Sequence, residues 1–184
     1  AIVAAQASKI PTKINCVLLK GINDHEFFDL IHLARDYELD VRFIEIMPIG
    51  YGKGFEGFDK NDLLEKIAEK YPEYQIEHKA HGNGPASYIN IPGFKGCIGF
   101  IDAIHGKFCD QCNRIRLTSD GILKLCLYYE NGIDLKKYLR SEASSEEILS
   151  AMENMIYKKP SEHQFHLTAK EGMEEPKNMS QIGG

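Results

Sequence analysis

The chain has 184 residues, 43% hydrophobic and 27% charged, enough for one domain or for a piece of a larger one with a satellite. Its formal charge of -5 argues against a general nucleic-acid binder, which carries a basic surplus, yet leaves room for a local basic pocket around one small anion. No apolar run approaches the ~18 residues of a membrane span, and AIVAAQASKI lacks the charged start and cleavage pattern of a secretory signal, so a cytoplasmic protein is expected.

Read in chain order, AIVAAQASKIPTKINCV is the end of a helix running straight into a strand without an initiator Met, so preceding elements are expected to be missing. TKINCVLL (12–19) predicts a strand. GIND supplies a turn and a helix N-cap, and a helix is predicted over 24–39 with Phe27, Leu30, Ile31 and Ala34 on one face. VRFIEI (41–46) predicts the next strand, ended by Pro48. Strand, helix and strand together imply two parallel strands joined by a right-handed crossover.

The pattern changes after the glycine-rich IGYGKGFEGF (49–58). A helix over 61–70 with Leu63, Leu64 and Ile67 buried is followed by predicted strands at 73–80, 86–91 and 96–101, then at 113–118 and 122–127. Short turns between consecutive strands imply an antiparallel meander. Two helices follow, over 134–140 and after SSEE, where Ser144 and Glu147 fit a capping box and Ile148, Met152 and Ile156 give the inward stripe. Residues from about 158 onward read as a tail, mobile in isolation. The fold class expected is α/β plus antiparallel β.

The chemistry concentrates in FCDQCNRIRLTSDGILKLC (108–126). The five cysteines are Cys16, Cys97, Cys109, Cys112 and Cys126, an odd set with one close Cys-x-x-Cys, which favours a reducing setting with metal or redox use over a disulfide frame. A three-residue SDG loop with glycine in the left-handed conformation would pair Thr118 with Ile122, Arg116 with Lys124 and Arg114 with Cys126. Arg114, Arg116, Lys124 and Cys126 then share one face with Cys112 at its near end, while Ile115, Leu117, Leu123 and Leu125 form a buried layer on the other. Three thiols are one short of a closed structural zinc site, for which Cys97 or His105 would be the fourth ligand. They equally suit a four-iron cluster with one iron open to a non-protein ligand. Spacing alone does not choose between the metals. Two guanidiniums and Lys124 on one side would repel one another, and a bound phosphate would offset that repulsion.

FCxxCNRIRLTxDGxLxxCL, TKINCVLLKGIND, DVRFIEIMPIG and SQIGG together resemble the GTP 3′,8-cyclase family of molybdenum-cofactor biosynthesis, radical S-adenosylmethionine lyases, over essentially the whole chain. The cysteine spacing joined to the Arg-x-Arg strand makes the match specific. The resemblance implies the last part of an incomplete TIM-type barrel (1–58), an α+β cluster-binding domain (59–157) and a tail ending in Gly-Gly (158–184). It assigns Cys109, Cys112 and Cys126 to an auxiliary 4Fe-4S cluster, Lys13, Arg114 and Arg116 to GTP, and Met47 to S-adenosylmethionine. Arg42 would face the barrel lumen, and Gly183 and Gly184 would reach the active site. The family also implies a second 4Fe-4S cluster in the full-length protein, a homodimer as one form of assembly, and transfer of the product to the next molybdopterin-pathway enzyme. One departure matters: these cysteines contain no Cys-x-x-x-Cys-x-x-Cys run, so the chain by itself is expected not to turn over. The competing readings are a small zinc module with a phosphate-binding hairpin, and another radical enzyme whose auxiliary cluster only transfers electrons.

Overall fold

The computed structural model describes residues 1–79, 81–106, 108–165 and 177–182. They fall into two compact units, one of residues 1–46 and 55–108, the other of 47–54 and 109–184.

The first unit opens with a short helix, α1 (Ile2–Ala7), followed by strand β1 (Thr12–Cys16). A 3-10 turn at Asp24–Glu26 leads into helix α2 (Phe27–Asp36), which buries Phe27, Ile31 and Ala34 and half-buries Leu30, the face that the 3.6-residue spacing predicts. Strand β2 (Leu39–Ile44) lies parallel to β1, with Ile14 beside Val41. Helix α3 (Lys60–Lys70) follows, started by a capping box between Asp59 and Asp62 and buried through Leu63 and Ile67. Strands β3 (Gln75–Glu77), β4 (Ser87–Asn90) and β5 (Ile98–Ile101) complete a five-stranded sheet in the order β1-β2-β5-β4-β3.

The expected meander is corrected at β5. It pairs antiparallel with β4 but parallel with β2, so the sheet is mixed and runs through both sides of residue 58. Ile98, Gly99 and Phe100 are all buried, the unbroken apolar run of a central strand, and such a run does not announce its partners. Leu39, Val41 and Phe43 join the core beneath α2 and α3. The intervening residues of β1 and β2, Lys13, Asn15, Asp40 and Arg42, occupy the opposite, more polar face.

The second unit contains a small antiparallel sheet of β6 (Arg116–Leu117), β7 (Ile122–Lys124) and β8 (Gly132–Asp134), then helices α4 (Leu135–Arg140) and α5 (Ser145–Ile156). The capping box at Ser144 is present: the Glu147 N–H donates to Ser144 Oγ at 3.2 Å, and Glu147 Oε2 accepts from the Ser144 N–H at 2.8 Å. Ile148 and Met152 are half-buried as expected, whereas Ile156 is exposed. The described part of the expected mobile tail is packed. Asn178 and Gln181 cap a 3-10 turn over Met179–Gln181, Asn178 Oδ1 accepts from the Tyr51 N–H at 3.2 Å, and Ile182 is 0% exposed. Its burial fixes a segment that polar composition alone predicts to be loose. Gly183 and Gly184 lie outside the described residues.

Candidate functional site

The Cys-x-x-Cys motif occupies a 3-10 turn, Cys109–Gln111, closed by the Cys112 N–H donating to Cys109 O at 3.1 Å. The following hairpin has the register expected of a three-residue loop. Arg116 pairs with Lys124, the Thr118 N–H donates to Ile122 O at 2.9 Å, and Gly121 takes a positive φ of 84°. The ladder is shorter than predicted and stops before Arg114 and Cys126, so those two are not a ladder pair.

The burial of the two hairpin faces also departs from expectation. Leu123 and Leu125 are buried, but Ile115 is 44% and Leu117 61% exposed, while Lys124 is only 3% exposed. The third strand, absent from the sequence reading, explains part of this. β8 pairs with β7 and covers Lys124 and Leu123, leaving β6 as the edge strand where Leu117 faces outward.

Electrostatic influence links Arg116 to Arg114, Cys112 and Cys126, and Cys126 to Cys109 and Cys112. Burial, and then the charges of neighbouring Cys109 and Cys112, push the Cys126 thiol up, while backbone N–H groups of Tyr128 and Tyr129 donating to its sulfur pull the other way. Burial and then Arg114 disfavour the Arg116 charge, which Cys112 and Cys126 favour. Burial lowers Lys124 as well, with Lys177 adding to it. Lys159, which the sequence reading missed, holds the motif: its ammonium donates to Cys112 O at 2.5 Å and Arg114 O at 3.0 Å, and sits 3.5 Å from Cys112 Sγ. No local pattern flags it, because it lies beyond α5, 45 residues from its partner Arg114. The donor set suits an iron–sulfur cluster: three thiols, peptide N–H groups directed at one sulfur, and cations around them.

The remaining expected residues make the following contacts. Lys13 in β1 donates to the His81 carbonyl, and Arg42 Nε donates to Asn15 Oδ1 at 2.7 Å on the polar face of the five-stranded sheet. Met47 follows β2, half-buried, its carbonyl accepting from the Ile49 N–H at 2.8 Å. Of the alternative fourth ligands, Cys97 lies among Asp40 and His81, and His105 Nδ1 is hydrogen-bonded to Glu45. All five cysteines are free thiols. No helix among the described residues is long and apolar enough to cross a membrane.

The second unit thus carries the Cys109–Gln111 turn, a further free thiol at Cys126 and a hairpin with Arg116 opposite Lys124. Residues 39–165 match the family described as Molybdenum Cofactor Synthesis C, and the chain belongs to that family. A GTP 3′,8-cyclase of Clostridium perfringens (strain 13 / Type A) is 42% identical over 177 residues, covering 96% of this chain and 54% of that protein. The GTP 3′,8-cyclase of Desulforamulus reducens is 41% identical over 177 residues, 95% of this chain and 53% of its own length. Molybdenum cofactor biosynthesis protein 1 of Dictyostelium discoideum is 37% identical over 167 residues, 87% of this chain and 26% of that protein. The chain thus spans about half the length of the cyclases it matches.

Proposed function

We propose that the chain is the C-terminal part of a GTP 3′,8-cyclase, a cytoplasmic radical S-adenosylmethionine lyase that in the intact protein rearranges GTP to 3′,8-cyclo-7,8-dihydro-GTP in molybdenum-cofactor biosynthesis. The carrying observation is the motif's geometry: the Cys109–Gln111 turn runs into a hairpin whose register sets Arg116 opposite Lys124, and Lys159 binds the carbonyls of Cys112 and Arg114. The relatives named for this activity support the same reading.

In this account Cys109, Cys112 and Cys126 are the ligands of an auxiliary 4Fe-4S cluster, which when bound supplies one iron open to a non-protein ligand such as the guanine nucleotide. A mononuclear tetrahedral zinc site would bring its sulfurs to about 3.8 Å from one another. The trio of ligand atoms that all lie within 4.8 Å of one another among the described residues is a different one, at Asp40, His81 and Cys97. A cluster distributes its cysteines over separate irons and needs no such convergence.

Arg114 and Arg116 bind the GTP phosphates, Arg supplying paired N–H donors to the oxygens. Burial first, and then the neighbouring cations, disfavour the charges of Arg116 and Lys124, and a bound phosphate offsets both effects. Lys13, on β1, is a further GTP contact, and Met47, which follows β2 in sequence, an S-adenosylmethionine contact. The parallel part of the sheet, β1, β2 and β5 with α2, is read as the end of an incomplete TIM-type barrel, its polar face the lumen. A catalytic role for Gly183 and Gly184 rests on the family resemblance alone. S-adenosylmethionine and a second cluster are held in the intact protein by residues outside these five cysteines. This chain alone is therefore inactive. A homodimer and delivery of the product to the next molybdopterin-pathway enzyme complete the proposal.

The test is GTP binding by the full-length protein carrying Arg114→Ala or Arg116→Ala. Each substitution removes charge-assisted hydrogen bonds and should weaken GTP about 10- to 100-fold while leaving iron content unchanged. Unaltered affinity in both variants would remove the phosphate role, and a chain that takes up zinc in place of iron and sulfide would favour a zinc module.

A further inference from the structure

A second group of ligand-type side chains, sharing no residue with the cysteine motif, lies within the first unit. Asp40 lies on β2, Cys97 directly precedes β5, and His81 lies on the connection between β3 and β4. The parallel register that sets Val41 beside Ile98 places Asp40 next to Cys97. The backbone fixes this pair: the Val41 N–H donates to Cys97 O at 3.0 Å, and the Cys97 N–H donates to Asp40 Oδ1 at 3.1 Å. His81 Nδ1 is 2.8 Å from Asp40 Oδ2, and its ring stacks on Tyr88 with centroids 4.3 Å apart. One ligand atom from each of the three residues lies within 4.8 Å of the other two.

The ordinary explanation is a His–Asp pair beside a buried thiol. It leaves His81 Nε2 unexplained, because that atom is buried and has no hydrogen-bond partner. A buried polar atom left so costs about 1–3 kcal/mol, more if the ring is charged. It also leaves a carboxylate, an imidazole and a thiol from three separate elements converging with Cys97 only 8% exposed.

We propose that Asp40, His81 and Cys97 bind a divalent cation of the zinc class, with a fourth position open to water or to another ligand. A thiolate and a carboxylate neutralise the two positive charges, and a neutral imidazole completes a mixed S, N, O donor set that suits zinc far better than magnesium or calcium. Tetrahedral coordination needs ligand atoms about 3.3–3.6 Å apart, against the 4.8 Å within which the three now lie, so the side chains draw together when the cation binds. The cation ties the β3–β4 connection to the β2–β5 pair. It also fixes His81, whose carbonyl accepts from the Lys13 ammonium. This site does not depend on the cluster reading, since it shares no ligand with Cys109, Cys112 or Cys126.

Cobalt(II) is the probe. The 184-residue chain carrying Cys109→Ala, Cys112→Ala and Cys126→Ala is titrated with Co²⁺ under anaerobic reducing conditions, its folding monitored by far-UV circular dichroism. One equivalent should bind with a sulfur-to-cobalt charge-transfer band. Adding Cys97→Ser should abolish the band, and His81→Ala or Asp40→Asn should weaken binding at least about tenfold. A folded triple variant that binds no cobalt, or a band that survives Cys97→Ser, would overturn the proposal. If the triple variant does not fold, cadmium-113 NMR of the unsubstituted chain decides. A resonance lost on Cys97→Ser supports the site, and a spectrum indifferent to that substitution refutes it.

Discussion

Replacing Lys159 by Met tests the support of the cysteine motif, because it removes the charge while keeping most of the aliphatic stem. The Lys159 ammonium donates to Cys112 O at 2.5 Å and to Arg114 O at 3.0 Å. Hydrogen bonds from a charged group contribute about 1.5–3 kcal/mol each, and the half-buried position places these at the lower end or below it. A combined loss of about 2 kcal/mol is expected, or about 4–8 °C in Tm for a chain of this size. The same ammonium stands 3.5 Å from Cys112 Sγ, so Lys159→Met also removes positive charge beside a proposed cluster ligand. Differential scanning fluorimetry of the apo chain reads the first effect, and iron retained after anaerobic reconstitution and desalting reads the second. Lys159→Arg should recover part of both. If Lys159→Met melts with the wild type and retains the same iron, the anchoring argument fails.

Three further outcomes follow from the same geometry. Asp120 is held down from 3.8 to about 2, first by its hydrogen bond from Lys177 and then by that from Thr118. A depressed carboxyl stabilises the fold above its unfolded pKa and loses that contribution as pH falls from about 4 to 2. Urea midpoints across that range should show an acid-side component that Asp120→Asn removes and added salt reduces. Gly121→Ala should destabilise by about 1–3 kcal/mol, because φ is 84° and the added Cβ would lie 3.1 Å from Lys136 Cβ; denaturant unfolding checks it. Ile182→Ala should cost about 2–5 kcal/mol, since the side chain is wholly buried, and a neutral result by denaturant unfolding would mean the C-terminal segment is not packed as described.

The hairpin was the most legible part of the chain, because its information is local. Ser119-Asp120-Gly121 dictates the loop, the loop dictates the register, and Arg116 falls opposite Lys124. Helices α2 and α3 were legible for the same reason: Phe27, Ile31 and Ala34, or Leu63 and Ile67, repeat at helical spacing. Partners distant in sequence were not. The return of β5 to β2 joins residues more than fifty apart, and the buried run Ile98–Phe100 would serve a parallel or an antiparallel partner equally. The same limit explains Leu117, whose alternation correctly separates the two faces of the strand but cannot say that β8 covers only one edge of β7. Lys159 and the Asp40–His81–Cys97 group are likewise made by tertiary structure, and neither has a spacing that a reader of the chain would notice.

Mössbauer spectroscopy of the ⁵⁷Fe-reconstituted chain, with and without GTP, tests the central claim most directly. The account predicts about four iron and four sulfide per chain, with one iron distinct from the other three and altered by GTP. Arg114→Ala with Arg116→Ala should abolish the GTP effect without removing the iron. A colourless chain that keeps one zinc and no sulfide after the same reconstitution would contradict it.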